Sequence, residues 1–280
     1  MSHVTPVRFT HVNAAEHFFQ SIMDTGFAVL TDHLIDPQLT ADVYAEWKQF
    51  FASEDKHQYT YDKSVQAGYF PFGSENAKGA MYSDLKEFFR YYAWWDRNPL
   101  SLMPSTLRYF AQATEMASIL LQWIEKYTPD DIRASFSCSL PKMAEASSET
   151  LLQATHYPPL TGNENTEAVR AAAHEDINLL TLLPGATASG LEVQDLKGHW
   201  HSISCDPGNM IINTGDMLKE ASGGYYPSTT HRVINPTGEL ALQSRYSLPL
   251  FVHARSEVRI SQRYTAYEYW KERMRENGLM

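Results

Sequence analysis

The run His174-Glu175-Asp176, joined by one histidine far downstream, His231, limits what this chain can fold into more than any other feature. On an extended segment alternate residues share a face, so His174 and Asp176 are expected to point the same way with Glu175 turned aside. Two imidazoles and a carboxylate, held on different parts of one sheet structure, make a three-ligand metal site with open coordination positions. The apolar run Leu179-Leu180-Thr181-Leu182-Leu183 follows, closed by Pro184-Gly185, and reads as a buried strand ending in a turn. His-x-Asp alone is a weak signal in a chain with 11 histidines, so its weight depends on its company.

Arg245 and Ser247 alternate in the same way. Residues 244–251 read as one strand with Tyr246, Leu248 and Leu250 on the opposite face. A guanidinium and a hydroxyl turned into an interior form a receptor for a carboxylate. Because an unpaired buried guanidinium is costly, either a bound anion or a buried acid of the chain must neutralise it, and both readings stay open. A metal with vacant positions beside an anion receptor suits a molecule that chelates at one end and carries a carboxylate at the other, as 2-oxoglutarate does. The same ligand set also suits catalytic zinc. A zinc hydrolase gives Arg245 and Ser247 no task, however, and no His-Glu-x-x-His helix is present.

Several further motifs stand in order: Thr155-His156-Tyr157-Pro158-Pro159, Asn213-Thr214-Gly215-Asp216, Ser228-Thr229-Thr230-His231-Arg232-Val233 and Arg245-Tyr246-Ser247. Asp24-Thr25-Gly26-Phe27, Gly68-Tyr69 and Asp84-Leu85-Lys86-Glu87-Phe88-Phe89 precede them. With these the chain resembles, over most of its length, the isopenicillin N synthase-like branch of the Fe(II)/2-oxoglutarate-dependent dioxygenases, a branch rich in plant oxygenases. The resemblance implies His174, Asp176 and His231 as the iron ligands, Arg245 and Ser247 as the holders of the distal carboxylate of 2-oxoglutarate, and Tyr157 as an assisting hydroxyl. It implies O2 as co-reactant and ascorbate as a candidate reductant. The implied reaction is oxidation of a small organic molecule by hydroxylation, desaturation or ring formation, with release of succinate and CO2. Thr155 stands where plant members carry Asn, and the stretch from His231 to Arg245 is longer than usual, with Asn235-Pro236-Thr237-Gly238 expected to absorb the excess in a hairpin turn.

The bounds of the chain agree. At 280 residues it can bury one large core. A net charge of −10 argues against a nucleic-acid partner, which would call for a basic face. Cys138 and Cys205 are too few for a disulfide framework, and no apolar stretch approaches a membrane span or a secretory h-region, so a cytoplasmic protein without membrane partners is expected.

Helical signals come first. Asn13-Ala14-Ala15-Glu16 resembles a capping box opening a helix that Gly26 ends, and Phe27 to Leu30 reads as a strand. Asp36-Pro37 opens a second helix with Leu39, Val43, Trp47 and Phe50 inward. Residues 105–127 read as a third, with Leu107, Phe110, Ala113, Ala117, Leu120 and Ile124 on one face. From about Leu151 strand patterns dominate, including a hairpin of 191–193 and 199–203 around Lys197-Gly198. Thr265-Ala266-Tyr267-Glu268 is a capping box for a terminal helix bearing Trp270 and Met274, ending at Gly278. The expected fold is α+β, mainly β: a jelly roll, the family's distorted double-stranded β-helix, with flanking N-terminal helices and a C-terminal helix. Residues 1–145 are expected to form a helical region with some strands packed on a core of 146–280, the two making one unit.

The substrate pocket is expected among Tyr69-Phe70-Pro71-Phe72, residues 88–95 and Gly223-Gly224-Tyr225-Tyr226, as an aromatic cleft with Arg90 available to a carboxylate. His199 and His201 are read as surface or wall residues, and Asp216 as a turn former. Two alternatives keep the same fold: an isopenicillin N synthase-like oxidase that needs no 2-oxoglutarate, and a protein that binds iron and 2-oxoglutarate without turnover. A monomer is the expected state and a dimer the alternative.

Overall fold

The computed structural model describes residues 4–62, 64–75, 81–195 and 197–276. Thirteen strands run β1 (Val7–Arg8), β2 (Phe27–Thr31), β3 (Gly68–Phe70), β4 (Glu87–Tyr92), β5 (Leu151–Tyr157), β6 (Ala171–His174), β7 (Leu180–Pro184), β8 (Leu191–Gln194), β9 (Trp200–Ser202), β10 (Met210–Thr214), β11 (His231–Val233), β12 (Arg245–Ser247) and β13 (Leu250–Val252). The helices are α1 (Ala14–Thr25), α2 (Pro37–Ala52), α3 (Pro104–Tyr127), α4 (Asp130–Arg133), α5 (Leu140–Ala144), α6 (Asp216–Ala221) and α7 (Ala266–Glu276).

The strands form two sheets. The larger has the order β1-β2-β10-β7-β13-β5-β4-β3 with β12 also on β5, and the smaller has the order β6-β11-β8-β9. All named pairings are antiparallel except β1 with β2. Side-chain alternation shows how they stack. Phe27 and Val29 of β2 and Ile211 of β10 pack with Leu191 and Val193 of the smaller sheet. Their neighbours Ala28, Leu30, Met210 and Ile212 join the core that α1, α2 and α3 supply. The larger sheet is thus covered on both faces, which is why β2 and β10 read as continuous apolar runs.

The helices form for local reasons. The Asp36 carboxylate accepts from the Gln38 amide at 2.8 Å and Pro37 occupies the first turn of α2. Its buried face carries Leu39, Val43, Trp47, Phe50 and Phe51. Gly26 ends α1 in the left-handed region at φ 71°, its amide closing on the Ile22 carbonyl. Thr265 and Glu268 cap α7 reciprocally, with Thr265 N donating to Glu268 Oε2 at 2.7 Å and Glu268 N to Thr265 Oγ1 at 3.3 Å. The expected end of this helix at Gly278 lies outside the described residues.

Five local expectations are corrected. Asn13 precedes α1 without a side-chain cap bond. On α3, Leu107 is 42% exposed while Thr106 and Tyr109 are buried instead, because the inward stripe is turned by one position at the helix start. Residues 244–251 make two strands, not one: the chain breaks at Leu248-Pro249, where proline lacks an amide and its carbonyl accepts from Gln153 N at 2.9 Å. Asn235 to Gly238 form no hairpin, since β11 and β12 belong to different sheets and the link between them carries a 3-10 turn at Gly238–Leu242. Finally, β6 stops at His174, so Asp176 lies on the turn after the strand. The strands of the N-terminal part extend the larger sheet, β2 pairing with β10 and β4 with β5.

Candidate metal and carboxylate site

His174 ends β6 and His231 opens β11, and the two are register partners across the smaller sheet. Asp176 reaches the same point from the turn toward β7. One ligand atom from each of the three lies within 4.8 Å of the others, and this is the group of that kind found among the described residues. His174 Nδ1 contacts the Ala172 carbonyl at 2.7 Å and His231 Nδ1 the Thr229 carbonyl at 3.1 Å. Those acceptors place the proton on Nδ1 and leave each Nε2 lone pair free, facing Asp176 Oδ1 at 3.9 and 3.6 Å. Asp176 is buried, and its other oxygen, Oδ2, accepts from Thr181 Oγ1 at 2.6 Å and Asn213 Nδ2 at 2.8 Å. One carboxylate oxygen is therefore pinned and the other is free.

Protonation suits the same arrangement. Burial, then the neighbouring His231, hold His174 below its ordinary value, which keeps it neutral and able to donate a lone pair. Burial would raise Asp176, but His231, His174 and the bonds from Thr181 and Asn213 outweigh it and hold the carboxyl below the usual range.

Arg245, Tyr246 and Ser247 pair with Tyr157, His156 and Thr155 respectively. Arg245 is 1% exposed. Its Nε donates to the Ala188 carbonyl at 3.0 Å and its guanidinium lies 5.0 Å from the Tyr157 ring centre. Its Nη1 is buried without a hydrogen-bond partner, and it forms no ion pair with a carboxylate among the described residues. The reading in which a buried acid of the chain neutralises Arg245 is thereby set aside. Ser247 and Tyr157 are buried beside it. Thr155 accepts from Gln153 Nε2 at 3.3 Å.

A cavity of about 470 Å³ meets the cluster at His174 and Asp176, while Arg245, Ser247 and Tyr157 do not line it. Its wall corrects the aromatic expectation. Phe70, Phe88, Phe89 and Tyr226 are spent on packing, and Tyr92 alone of the aromatic candidates lines the cavity. The lining is instead strongly charged. Lys86 bridges Asp84 (2.8 Å) and Glu75 (3.0 Å), and Arg90 binds Glu75 at 2.6 Å, so Arg90 already has a carboxylate. Trp270, Arg273 and Met274 of α7 close another side.

Several contributors have a task that no motif announces. Thr181 and Asn213 hold Asp176 through bonds that cross strands. His253, buried in the cavity wall and held below its ordinary value by burial, has no spacing signature. Asp216 opens α6 and fastens the turn that carries Asp176 through its amide, which donates to the Asp176 carbonyl at 2.7 Å. Burial and the adjacent Glu175 push its carboxyl up to about 6. Neither His174 nor His231 leans on it, since both Nδ1 atoms take backbone carbonyls. His199 and His201 share Asp195 on the β8–β9 hairpin, away from the cavity. His156, on the opposite face of β5 from Tyr157, binds Glu87 at 2.7 Å and stacks on Tyr246.

Comparison with known proteins agrees with this chemistry. Residues 148–254 match the 2OG-Fe(II) oxygenase superfamily, and residues 9–107 match the N-terminal family described as non-haem dioxygenase in morphine synthesis. A 2-oxoglutarate-dependent dioxygenase of Monascus ruber is 27% identical over 89% of this chain and 80% of its own length. The crystal structure of a protein of Shewanella oneidensis, assigned as an oxygenase, superposes with a TM-score of 0.89 at 46% identity, covering 99% of both chains. A structure from Caulobacter crescentus, assigned to the 2OG-Fe(II) oxygenase family, superposes with a TM-score of 0.81 at 30% identity, again over 99% of both chains. Since relatives this similar run the full length of the chain and both its halves match parts of one enzyme type, it belongs to the 2-oxoglutarate- and Fe(II)-dependent oxygenase superfamily.

Proposed function

We propose that this oxidoreductase, a 2-oxoglutarate-dependent dioxygenase, holds Fe(II) on His174, Asp176 and His231 and receives the distal carboxylate of 2-oxoglutarate on Arg245, Ser247 and Tyr157. The observation that carries the reading is Arg245. It is a buried guanidinium with an unused N–H and no acid of its own among the described residues, in a chain that also gathers a three-ligand cluster. A cation in that state is stable when an anion completes it. The donor set fits the metal as well: two neutral imidazoles and one carboxylate leave part of the coordination sphere open. When bound, iron and 2-oxoglutarate supply the oxidising power, with O2 consumed and succinate and CO2 released as the substrate is oxidised.

The chain's own residues orient and shield. Ala172 and Thr229 fix the rotation of the two imidazoles, Thr181 and Asn213 fix the carboxylate, and the strand pair β5–β12 sets Arg245 and Ser247 at a constant height. Packing of the larger sheet against the smaller excludes water from the carboxylate end.

The substrate is a small molecule, and the charged wall made by Glu75, Asp84, Lys86 and Arg90 favours a polar one. The protein acts as a monomer in this reading, because Trp270 and Met274 of α7 are spent on lining its own cavity. The free thiols of Cys138 and Cys205 accord with a reducing compartment. Incubation with Fe(II), O2 and 2-oxoglutarate tests the activity. Succinate should accumulate slowly alone and faster with an accepted substrate. Oxygen consumption without succinate would return the oxidase alternative.

A further inference from the structure

Among the described residues, other buried or half-buried cations near this region have their acids. Lys86 has Asp84 and Glu75, Arg90 has Glu75, and Lys56 has Glu87. Arg245 and Arg170 break that pattern, and they do so in one place. Arg170 directly precedes β6, the strand that ends on His174, and is 1% exposed. Its Nη2 donates to the Gln243 carbonyl at 3.0 Å, its Nε is buried without a partner, and among the described residues it forms no ion pair with a carboxylate. Its guanidinium lies 5.9 Å from the centre of the Tyr157 ring, the ring that Arg245 approaches to 5.0 Å. Two like charges buried around one tyrosine repel each other. Burial, then Arg245, hold Arg170 below its ordinary value, the direction expected of a cation missing its counter-ion. A fold that keeps two unneutralised guanidiniums together is stabilised when an anion enters between them.

We propose that Arg170 is the second cation of the carboxylate receptor, acting with Arg245 across Tyr157 to select a dicarboxylic 2-oxo acid over a monocarboxylic one. The proposal rests on the cosubstrate assignment made above. Arg245 offers the unused N–H that contacts the anion. Arg170 is a positioning residue: it holds the Tyr157 ring through its face and adds positive potential where the distal carboxylate sits. Nothing in this requires Arg170 to influence the chelating keto-acid end.

Isothermal titration of the Ni(II)-substituted protein separates the two ends of the ligand without turnover. The probes are 2-oxoglutarate and 2-oxobutanoate, which keeps the chelating end and lacks the distal carboxylate. Wild type should prefer 2-oxoglutarate. Arg170→Met should weaken 2-oxoglutarate about tenfold, equivalent to about 1.4 kcal/mol, and leave 2-oxobutanoate within about twofold. Arg170→Lys should recover most of the loss. Circular dichroism checks folding, and Arg170→Gln supplies the same comparison if the methionine variant does not fold. Equal weakening of both ligands shows a purely structural residue and overturns the proposal, as does unchanged 2-oxoglutarate affinity. A wild type that does not discriminate between the ligands overturns the cosubstrate assignment and this proposal together.

Discussion

Asp176 divides its two oxygens between structure and chemistry. Oδ2 takes hydrogen bonds from Thr181 and Asn213, so Oδ1 is held toward the histidines without a search through rotamers. Thr181→Val keeps the shape and removes one of those bonds. We expect metal affinity to fall roughly 10- to 100-fold, measured by competition with a chelating dye, with little change in fold. Glu75 shows charge placement in the cavity wall. Burial alone would raise its carboxyl, but Lys86 and Arg90 overcome that and bring it to about 2. A carboxyl depressed in the folded state stabilises fully above its unfolded value and loses that contribution as pH falls through the folded one. Glu75→Gln should therefore cost about 3 kcal/mol at neutral pH in denaturant titration, the gap closing as pH falls from about 4.5 toward 2. The motif residues were legible because a two-residue spacing encodes a shared face, as with Arg245 and Ser247. The tasks of Thr181, Asn213 and Arg170 were not, because their partners lie on turns and separate segments at no fixed spacing.

At the scale of elements, the turn that carries Asp176 depends on what it is packed against. Gly215 follows β10, and a Cβ there would sit 2.3 Å from the Asn178 carbonyl oxygen and 2.8 Å from that of Asp176. Gly215→Ala should displace the turn, so we expect loss of metal binding together with a lowered melting temperature, rather than either alone. The strand carrying Arg245 survives its early break because β12 and β13 both pair with β5, so Pro249 interrupts the ladder without moving the receptor. Helix caps at Asp36 and Thr265 were readable since side chain and amide are neighbours in sequence. The pairing of β11 and β12 with different sheets was not, because a turn-like sequence fits a crossover as well as a hairpin.

Across the whole molecule, the candidate site lies where the smaller sheet faces the larger one, and the helices pack on the far side of the larger sheet. The two-sheet architecture could be anticipated from order alone: helical periods first, then short strands, then one helix. The nine-stranded extent of the larger sheet could not, because β3 and β4 are aromatic runs that read equally well as a pocket wall. The cavity's charge was missed for the same reason, since rings near a site look like lining until packing assigns them to the core. Metal that binds only the folded protein should stabilise it by about 2.7 kcal/mol at a hundredfold excess over its Kd. Chelator treatment should thus lower the melting temperature by roughly 5 °C for a protein of this size, and Asp176→Ala should show no such response.

An anaerobic titration of the Fe(II)-loaded protein with 2-oxoglutarate, followed by visible absorption, bears most directly on the assignment of the site. A charge-transfer band that rises and saturates in the wild type is the expected result. It should be absent in Asp176→Ala and shifted to at least tenfold higher 2-oxoglutarate in Arg245→Met, a loss of about 1.4 kcal/mol or more. A band that forms equally in all three proteins would place iron and cosubstrate elsewhere and contradict the account.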